Sequence, residues 1–444
     1  MFSDVSHLIG DNRPRLSYGI AAADVDGDGL PEFVVTGFGE ANLVLDWRNG
    51  RLTDVAPPLL ADPERRAIGV AAADVDGDGR EELYVLNTDT FAFAKRWGDR
   101  LFSLGDAGWL DVFSQPVNSE WANLIAGRSV AALDRFGRGR YGFAVANYGG
   151  PMALFELDES PEGRLRDRAG EAGVADVVSG GRGLLVAQLL PASVAAGRLD
   201  VFAVNEASPN RLLAGRDDGT FEDVAAAYGV DDPDQHGRGV VAFDANGDGL
   251  LDLAWANWEG PNRYCLQSEL GLFGDVAPPP FARPGRARTL VVADIDNDGH
   301  TELFLNNIGE PNRLFRVLAG GHLEELDPGP ARESTALGTG AAVADVDGDG
   351  VLELLVAHGE AAPEPLSLYK VEAAVDRAWL RVLPLTPFGA PARGALVEVV
   401  RGNGHRPELA RRRRPSPAAS APVKAPLTGW ARRAAPRRAA GRRS

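Results

Sequence analysis

The chain has one cysteine, six histidines and two methionines in 444 residues. Cys265 alone excludes an intrachain disulfide. The histidines (His7, His236, His300, His322, His358, His405) are scattered, with no H-E-x-x-H and no metal-ligand pairing. There is no Asn-x-Ser/Thr sequon, so neither disulfides nor glycosylation fixes a compartment. No run approaches the roughly 18 apolar residues that span a bilayer. The start, MFSDVSHLIGDNRPRLS, has neither a basic n-region nor an apolar h-region, so a soluble chain without a visible export signal is expected. A phosphate loop and a dinucleotide fingerprint are also missing; the glycine-rich pieces belong to turns.

Acid is plentiful. Asp+Glu number 63 against 46 Lys+Arg, a net charge of −17. From 401 to 444 the chain carries 13 Lys+Arg against Glu408 alone, so that stretch is +12 and the first 400 residues are −29. A body that acidic is not expected to bind nucleic acid, because phosphate contacts need Lys and Arg. It attracts cations instead.

One unit recurs. AAADVDGDGLPEFVV at 21–35 returns at 71–85, 240–255, 291–305 and 342–356, with worn copies at 130–147 and 184–205. Seven repeats of about 50 to 60 residues, each an apolar run, an Asp-rich loop and an alternating strand such as Leu303-Phe304-Leu305, predict the blades of a β-propeller. Further strands are expected at Asn210-Arg211-Leu212-Leu213, Asn262-Arg263-Tyr264 and Asn312-Arg313-Leu314-Phe315, and at the apolar-x-Asp-Val pieces ending in Val55, Val224 and Val276. Phe2-Ser3-Asp4-Val5 has the form of a last strand yet precedes the first loop, whereas the seventh unit lacks one. The N-terminal strand is therefore expected to complete the last blade of an all-β, seven-bladed ring over residues 1–372. The alternative is an open solenoid.

The loop D-x-[DN]-x-D-G-x-x-[DE] carries the chemistry. Asp24, Asp26, Asp28 and Glu32 offer side-chain oxygens and Leu30 a carbonyl, a hard-oxygen set that suits Ca²⁺. The other sets are Asp74, Asp76, Asp78, Arg80, Glu82; Asp244, Asn246, Asp248, Leu250, Asp252; Asp294, Asp296, Asp298, His300, Glu302; and Asp345, Asp347, Asp349, Val351, Glu353, giving up to five calcium sites. An EF-hand is excluded, because its bidentate Glu would fall on Val35, Val85, Trp255, Leu305 and Val356. Four carboxylates packed within a few ångströms repel unless a divalent cation neutralises them, although an Asp/Gly turn without an ion is the plainer alternative. The third unit has Asp134, Phe136, Arg138 and Gly142 at the ligand positions, so its loop cannot bind calcium while its strands persist.

These units resemble the FG-GAP (VCBS-type) repeats of integrin alpha-like propellers. AGRSVAALDRFGRGRYGFAVANY at 126–148, GVDDPDQHGRGVVAFDANGDG at 229–249, NWEGPNRYCLQ at 257–267 and WLRVLPLTPFGAPARGA at 379–395 resemble more closely the family of cartilage acidic protein and its bacterial relatives. That resemblance covers about residues 2–400. It implies a secreted, calcium-binding, non-enzymatic protein whose propeller precedes a small ASPIC/UnbV-type β domain. Residues 377–400 look like the start of that domain, with alternation in Ala395-Leu396-Val397-Glu398-Val399-Val400. The family's Gly-Ser-Gly-Tyr segment is absent, so an incomplete small domain is expected. The Arg/Ala/Pro-rich stretch 401–444 reads as a disordered basic tail, a frame-shifted or alternative end, or a folded element.

Candidate catalytic residues are few. His236, in Gln235-His236-Gly237-Arg238-Gly239, falls near the expected ring mouth, and a hydrogen-bonded loop histidine is its plainer reading. Cys265, beside Tyr264 and Leu266, reads as a buried inert thiol. Trp47, Trp97, Trp109, Trp121, Trp255 and Trp258 can form a sugar platform, with packing the plainer reading for most. Two functions remain: a calcium-stabilised, non-catalytic module binding a protein or glycan through its loops, or an enzyme or lectin using the central depression. Extracellular calcium modules work at about 10⁻⁴ to 10⁻³ M, so an extracellular or periplasmic location is expected.

Overall fold

The computed structural model describes residues 1–158, 160, 163–175, 178–371, 379–397, 399–401 and 407–409. Among them the strands form five four-stranded antiparallel sheets and one eight-stranded sheet made of two such units, so seven units in all. The two units of the large sheet are joined where Tyr148–Pro151 pairs with 178–180. Each unit runs outward from an innermost strand: Ser17–Ala23, Ala67–Ala73, Gly127–Leu133, Val178–Ala187, Gly237–Phe243, Ala287–Ala293 and Gly338–Ala344. Each innermost strand lies beside the next, and the seventh lies beside the first. The arrangement is an all-β propeller closed on itself, which removes the exposed edges an open array would leave.

Closure depends on two features. Ser3 and Asp4 pair with Lys370 and Tyr369, so the N-terminal strand is the outer strand of the last sheet. Phe2 is buried there against Phe304 and Tyr369, with ring centroids 6.2 and 6.1 Å away. At the axis the innermost strands approach so closely that a Cβ on Gly340 would lie 2.1 Å from the Tyr18 carbonyl oxygen, and one on Gly19 would lie 2.8 Å from the Gly69 Cα. Only glycine fits such a backbone approach.

The apolar residues that alternate along the strands collect into seven clusters, each between neighbouring units. The repeated polar residues satisfy backbone groups within each unit. Asn42 accepts from the Gly37 N–H at 2.9 Å and donates to the Leu60 carbonyl at 2.9 Å. Asn210, Asn262 and Asn312 repeat that bridge in their own units. The Asp of the apolar-x-Asp-Val strands works likewise: Asp54 Oδ1 accepts from Val44 N–H at 3.1 Å and Ala56 N–H at 3.0 Å.

Past the last sheet, residues 379–397 form turns and one isolated bridge, Leu385 to Pro391. The alternation expected from Ala395 does not make a strand there; Leu396 and Val397 are exposed, and the strand is Val399–Arg401, paired with Pro407–Leu409. Three residues of the expected tail are thus paired with it, and 402–406 and 410–444 lie outside the described residues. Arg393 ties the segment to the second repeat, its Nε and one terminal nitrogen each lying 2.6 Å from a Glu81 carboxylate oxygen. No helix among the described residues is long and apolar enough to cross a membrane.

Candidate metal centre

Each Asp-rich loop connects an innermost strand to the second strand of its sheet, and backbone N–H groups shape it. In the first, Asp24 accepts from Gly27 N–H at 2.8 Å and Gly29 N–H at 3.0 Å, and Asp28 from Leu30 N–H at 2.8 Å. Gly27 and Gly29 have φ of 80° and 90°, the left-handed region that lets the chain curl round its own carboxylates. Glu32, the first residue of the second strand, turns back so that Oε2 accepts from Val25 N–H at 2.6 Å. Glu82, Asp252, Glu302 and Glu353 bridge to Val75, Ala245, Ile295 and Val346 in the same way.

In four loops this curl brings three carboxylates to within 4.8 Å of one another: Asp24, Asp26, Glu32; Asp74, Asp76, Asp78; Asp294, Asp296, Glu302; and Asp345, Asp347, Glu353. The Asp244 loop forms no such triplet among the described residues. There Asn246 donates to Asp248 at 2.9 Å, and both Asp252 oxygens are engaged, one by Ala245 N–H and one by Gln267 N–H. Backbone amides of Leu30, Arg80, Leu250, His300 and Val351 all donate to the preceding Asp, which leaves their carbonyls as the proposed donors.

Burial raises the ninth-position acids. Glu32 is pushed up to about 8, first by burial and then by the Asp26 and Asp46 carboxylates; Glu82 reaches about 8 by burial with Asp76 adding to it. Glu302 and Glu353 reach about 7 and Asp252 about 6, each chiefly through burial. A buried carboxylate cluster with oxygen-only donors fits a hard divalent cation, whose charge reverses the repulsion.

Sequence reasoning missed what stands across the sheet from each ninth-position acid. At the first loop it is Asp46, one step beyond the Phe33–Leu45 pair; at the second, Ser103. Glu302 faces Arg316, which lies 2.8 Å from Asp296 and 3.0 Å from both Asp298 and Glu302. Glu353 faces Lys370, whose Nζ lies 2.7 Å from Asp347, 3.0 Å from Asp349 and also against Glu353. The last two loops therefore hold a cationic side chain among their carboxylates. The signal existed, since register places the facing residue, but register is a property of the folded sheet.

The worn units confirm that the curl does not need the ligand set. Asp134 still accepts from Arg138 and Gly139 N–H, and Asp200, the fourth unit's counterpart of Asp252, accepts from Leu190 and Gly215 N–H. Among the other candidates, Cys265 is fully buried and its thiol is raised by burial, and Trp255 lies in the core. Trp47, Trp109 and Trp121 pack beside core clusters. His236 is exposed and bridges to Glu206 through the backbone.

The FG-GAP-like repeat family matches residues 4–85, 196–255, 244–305 and 296–356. Cartilage acidic protein 1 from Homo sapiens is 45% identical over 421 residues, covering 87% of this chain and 63% of that protein. The Mus musculus protein is 44% identical over 421 residues, covering 87% and 64%. The chain thus spans less than two thirds of these relatives. A solved structure of the BP39L lectin from Burkholderia pseudomallei superposes with a TM-score of 0.50 at 13% identity, covering 80% of this chain and 99% of that one, a likeness of fold alone.

Proposed function

This chain belongs to the FG-GAP-like repeat family and resembles cartilage acidic protein 1 along most of its length, and from that premise we propose that it is a calcium-binding, non-catalytic interaction protein of an extracellular or periplasmic setting. The observation that carries the reading is the convergence of three carboxylates within 4.8 Å in four loops, with their ninth-position acids raised by burial. Bound calcium supplies the positive charge that lets these acids ionise together.

The loops are not equal in this reading. Asp24, Asp26, Asp28, the Leu30 carbonyl and Glu32, and likewise Asp74, Asp76, Asp78, the Arg80 carbonyl and Glu82, form the stronger sites. Asp244, Asn246, Asp248, the Leu250 carbonyl and Asp252 form a weaker one, having one carboxylate fewer. The sites at 294–302 and 345–353 take calcium only by displacing Arg316 and Lys370. The seven-bladed ring over 1–372 is the rigid frame, 377–400 is the start of a second β element, and the propeller loops meet a protein or glycan partner.

Thermal unfolding in about 1 mM Ca²⁺ and in excess EDTA tests the reading, because a ligand that binds only the folded state adds about 0.4 to 1.4 kcal/mol per site at about one to ten times Kd, summed over the occupied sites. A large calcium-dependent rise in Tm is expected. Identical melting in both conditions overturns calcium binding and leaves the loops as Asp/Gly turns.

A further inference from the structure

At the other end of the innermost strands from the Asp-rich loops, each strand shifts register by a bulge: between Ser17 and Ile20, Ala67 and Gly69, Gly127 and Ser129, Gly181 and Gly183, Gly237 and Val240, Ala287 and Thr289, and Gly338 and Gly340. A bulge re-aims the side chain it carries. In four consecutive units that residue is arginine: Arg128, Arg182, Arg238 and Arg288; in the other three it is Tyr18, Ile68 or Thr339.

These four arginines form one arc at the mouth of the ring. Arg128 and Arg182 lie over the Phe91 ring at 5.0 and 5.3 Å, and Arg238 and Arg288 over the Trp258 ring at 5.2 and 5.1 Å. Two carboxylates face them: Glu206 binds Arg182 and Arg238, and Glu360 lies 2.7 Å from Arg288. Arg128 has no carboxylate partner among the described residues and donates to the carbonyls of Thr90 and Phe91. Burial first, and then the neighbouring guanidiniums, pull Arg128 and Arg238 down to about 10.

The donors are also incompletely used. The Nε atoms of Arg128, Arg238 and Arg288 are buried and make no hydrogen bond among the described residues, and the Arg238 side chain is only 8% exposed. Buried charged donors left unpaired are costly, and a planar guanidinium fork matches an oxyanion. Phe91, 62% exposed, and Trp258, partly exposed, border the same arc. An adjoining cavity on the Trp258 side is lined by Glu206, Asp234, His236 and Glu259.

We propose that the arc of Arg128, Arg182, Arg238 and Arg288 is a binding site for an oxyanion, the carboxylate, sulfate or phosphate of a small organic molecule whose body lies against Phe91 or Trp258. The proposal is independent of calcium, since the site sits at the opposite strand ends from the Asp-rich loops.

Isothermal titration of the full chain with a glucose monosulfate, with glucose and with inorganic sulfate, at ionic strength fixed by NaCl, tests it. Saturable binding of the sulfated sugar and none of glucose is expected, weakened roughly tenfold or more in R128Q and in R238Q. Inorganic sulfate binding as tightly as the ester assigns the site to the free anion; weaker sulfate binding assigns it to the ester. Arg128 has no carboxylate partner among the described residues, so R128Q loses only its bonds to the Thr90 and Phe91 carbonyls and its stacking, and is expected to stay folded even where R238Q, which breaks the bond to Glu206, unfolds more readily. No saturable binding of either anion, or undiminished binding in a folded R128Q, overturns the proposal.

Discussion

Arg316 Nε lies 3.0 Å from Glu302 Oε1, while the other oxygen of the same carboxylate accepts from the Ile295 backbone at 3.0 Å. One acid thus closes the loop and holds an internal cation. Lys370 stands in the same relation to Glu353, whose Oε2 accepts from Val346 at 3.0 Å. Replacing the cation by a neutral side chain leaves these carboxylates without a counter-charge. R316Q and K370Q are expected to raise calcium affinity at their own loops about tenfold and to lower stability in EDTA, read by calcium titration and by melting. Unchanged calcium stoichiometry and affinity in both variants would show that these cations do not compete with the ion.

Asp200 offers a control, because its unit has no Asp-rich loop. Its oxygens accept from Leu190 N–H at 2.8 Å and Gly215 N–H at 2.9 Å. D200A leaves two buried donors unpaired and is expected to destabilise the protein by about 1–3 kcal/mol in urea denaturation. The calcium-induced rise in Tm should stay as in the wild type; its loss would mean that the loops are coupled across the ring.

Phe2 closes the ring from the first residues of the chain, packed between Phe304 and Tyr369. F2A is expected to cost about 3–5 kcal/mol, a large share of the stability of a domain, measured by chemical denaturation. A loss below about 1 kcal/mol would show that closure does not depend on this contact.

His358 and Glu333 set a pH dependence. Burial opposes charge on the imidazole, but the Glu333 carboxylate 3.1 Å from Nε2 outweighs it and holds His358 above its ordinary value. Burial likewise opposes charge on Glu333, and the His358 hydrogen bond outweighs it and holds that acid below the usual range. The histidine contribution is full below its unfolded pKa of about 6.5 and is lost as pH rises through the higher folded value. The Glu333 contribution is present above its unfolded pKa of about 4.3 and is lost as pH falls through the lower folded value. Stability from this pair is therefore greatest between those unfolded values. Melting curves across pH should show a decline on the alkaline side that H358Q lacks, and E333Q should lose about 3–5 kcal/mol near pH 6. A wild-type decline identical to that of H358Q would remove the pair as its cause.

The repeating unit and its closure were legible in the sequence because each repeated residue meets a local backbone demand. Gly27 and Gly29 are needed for the loop curl, Asn42 and its counterparts tie the second strand of a unit to the segment that follows its last strand, and Asp54 closes a strand end. Such demands recur at fixed spacing, so they leave a period. The displaced Phe2-Ser3-Asp4-Val5 strand was legible for the same reason. Which residue stands opposite each ninth-position acid was decided only by sheet register: Asp46, Ser103, Arg316 and Lys370 lie 14 to 21 positions away in stretches that break the period. The arginine arc is further removed still. Arg128 and Arg288 are 160 residues apart, and they share one charge cluster only because ring closure turns seven strand starts towards a single axis. Local chemistry repeats along a chain and can be read there, whereas proximity between repeats exists only once the ring has formed.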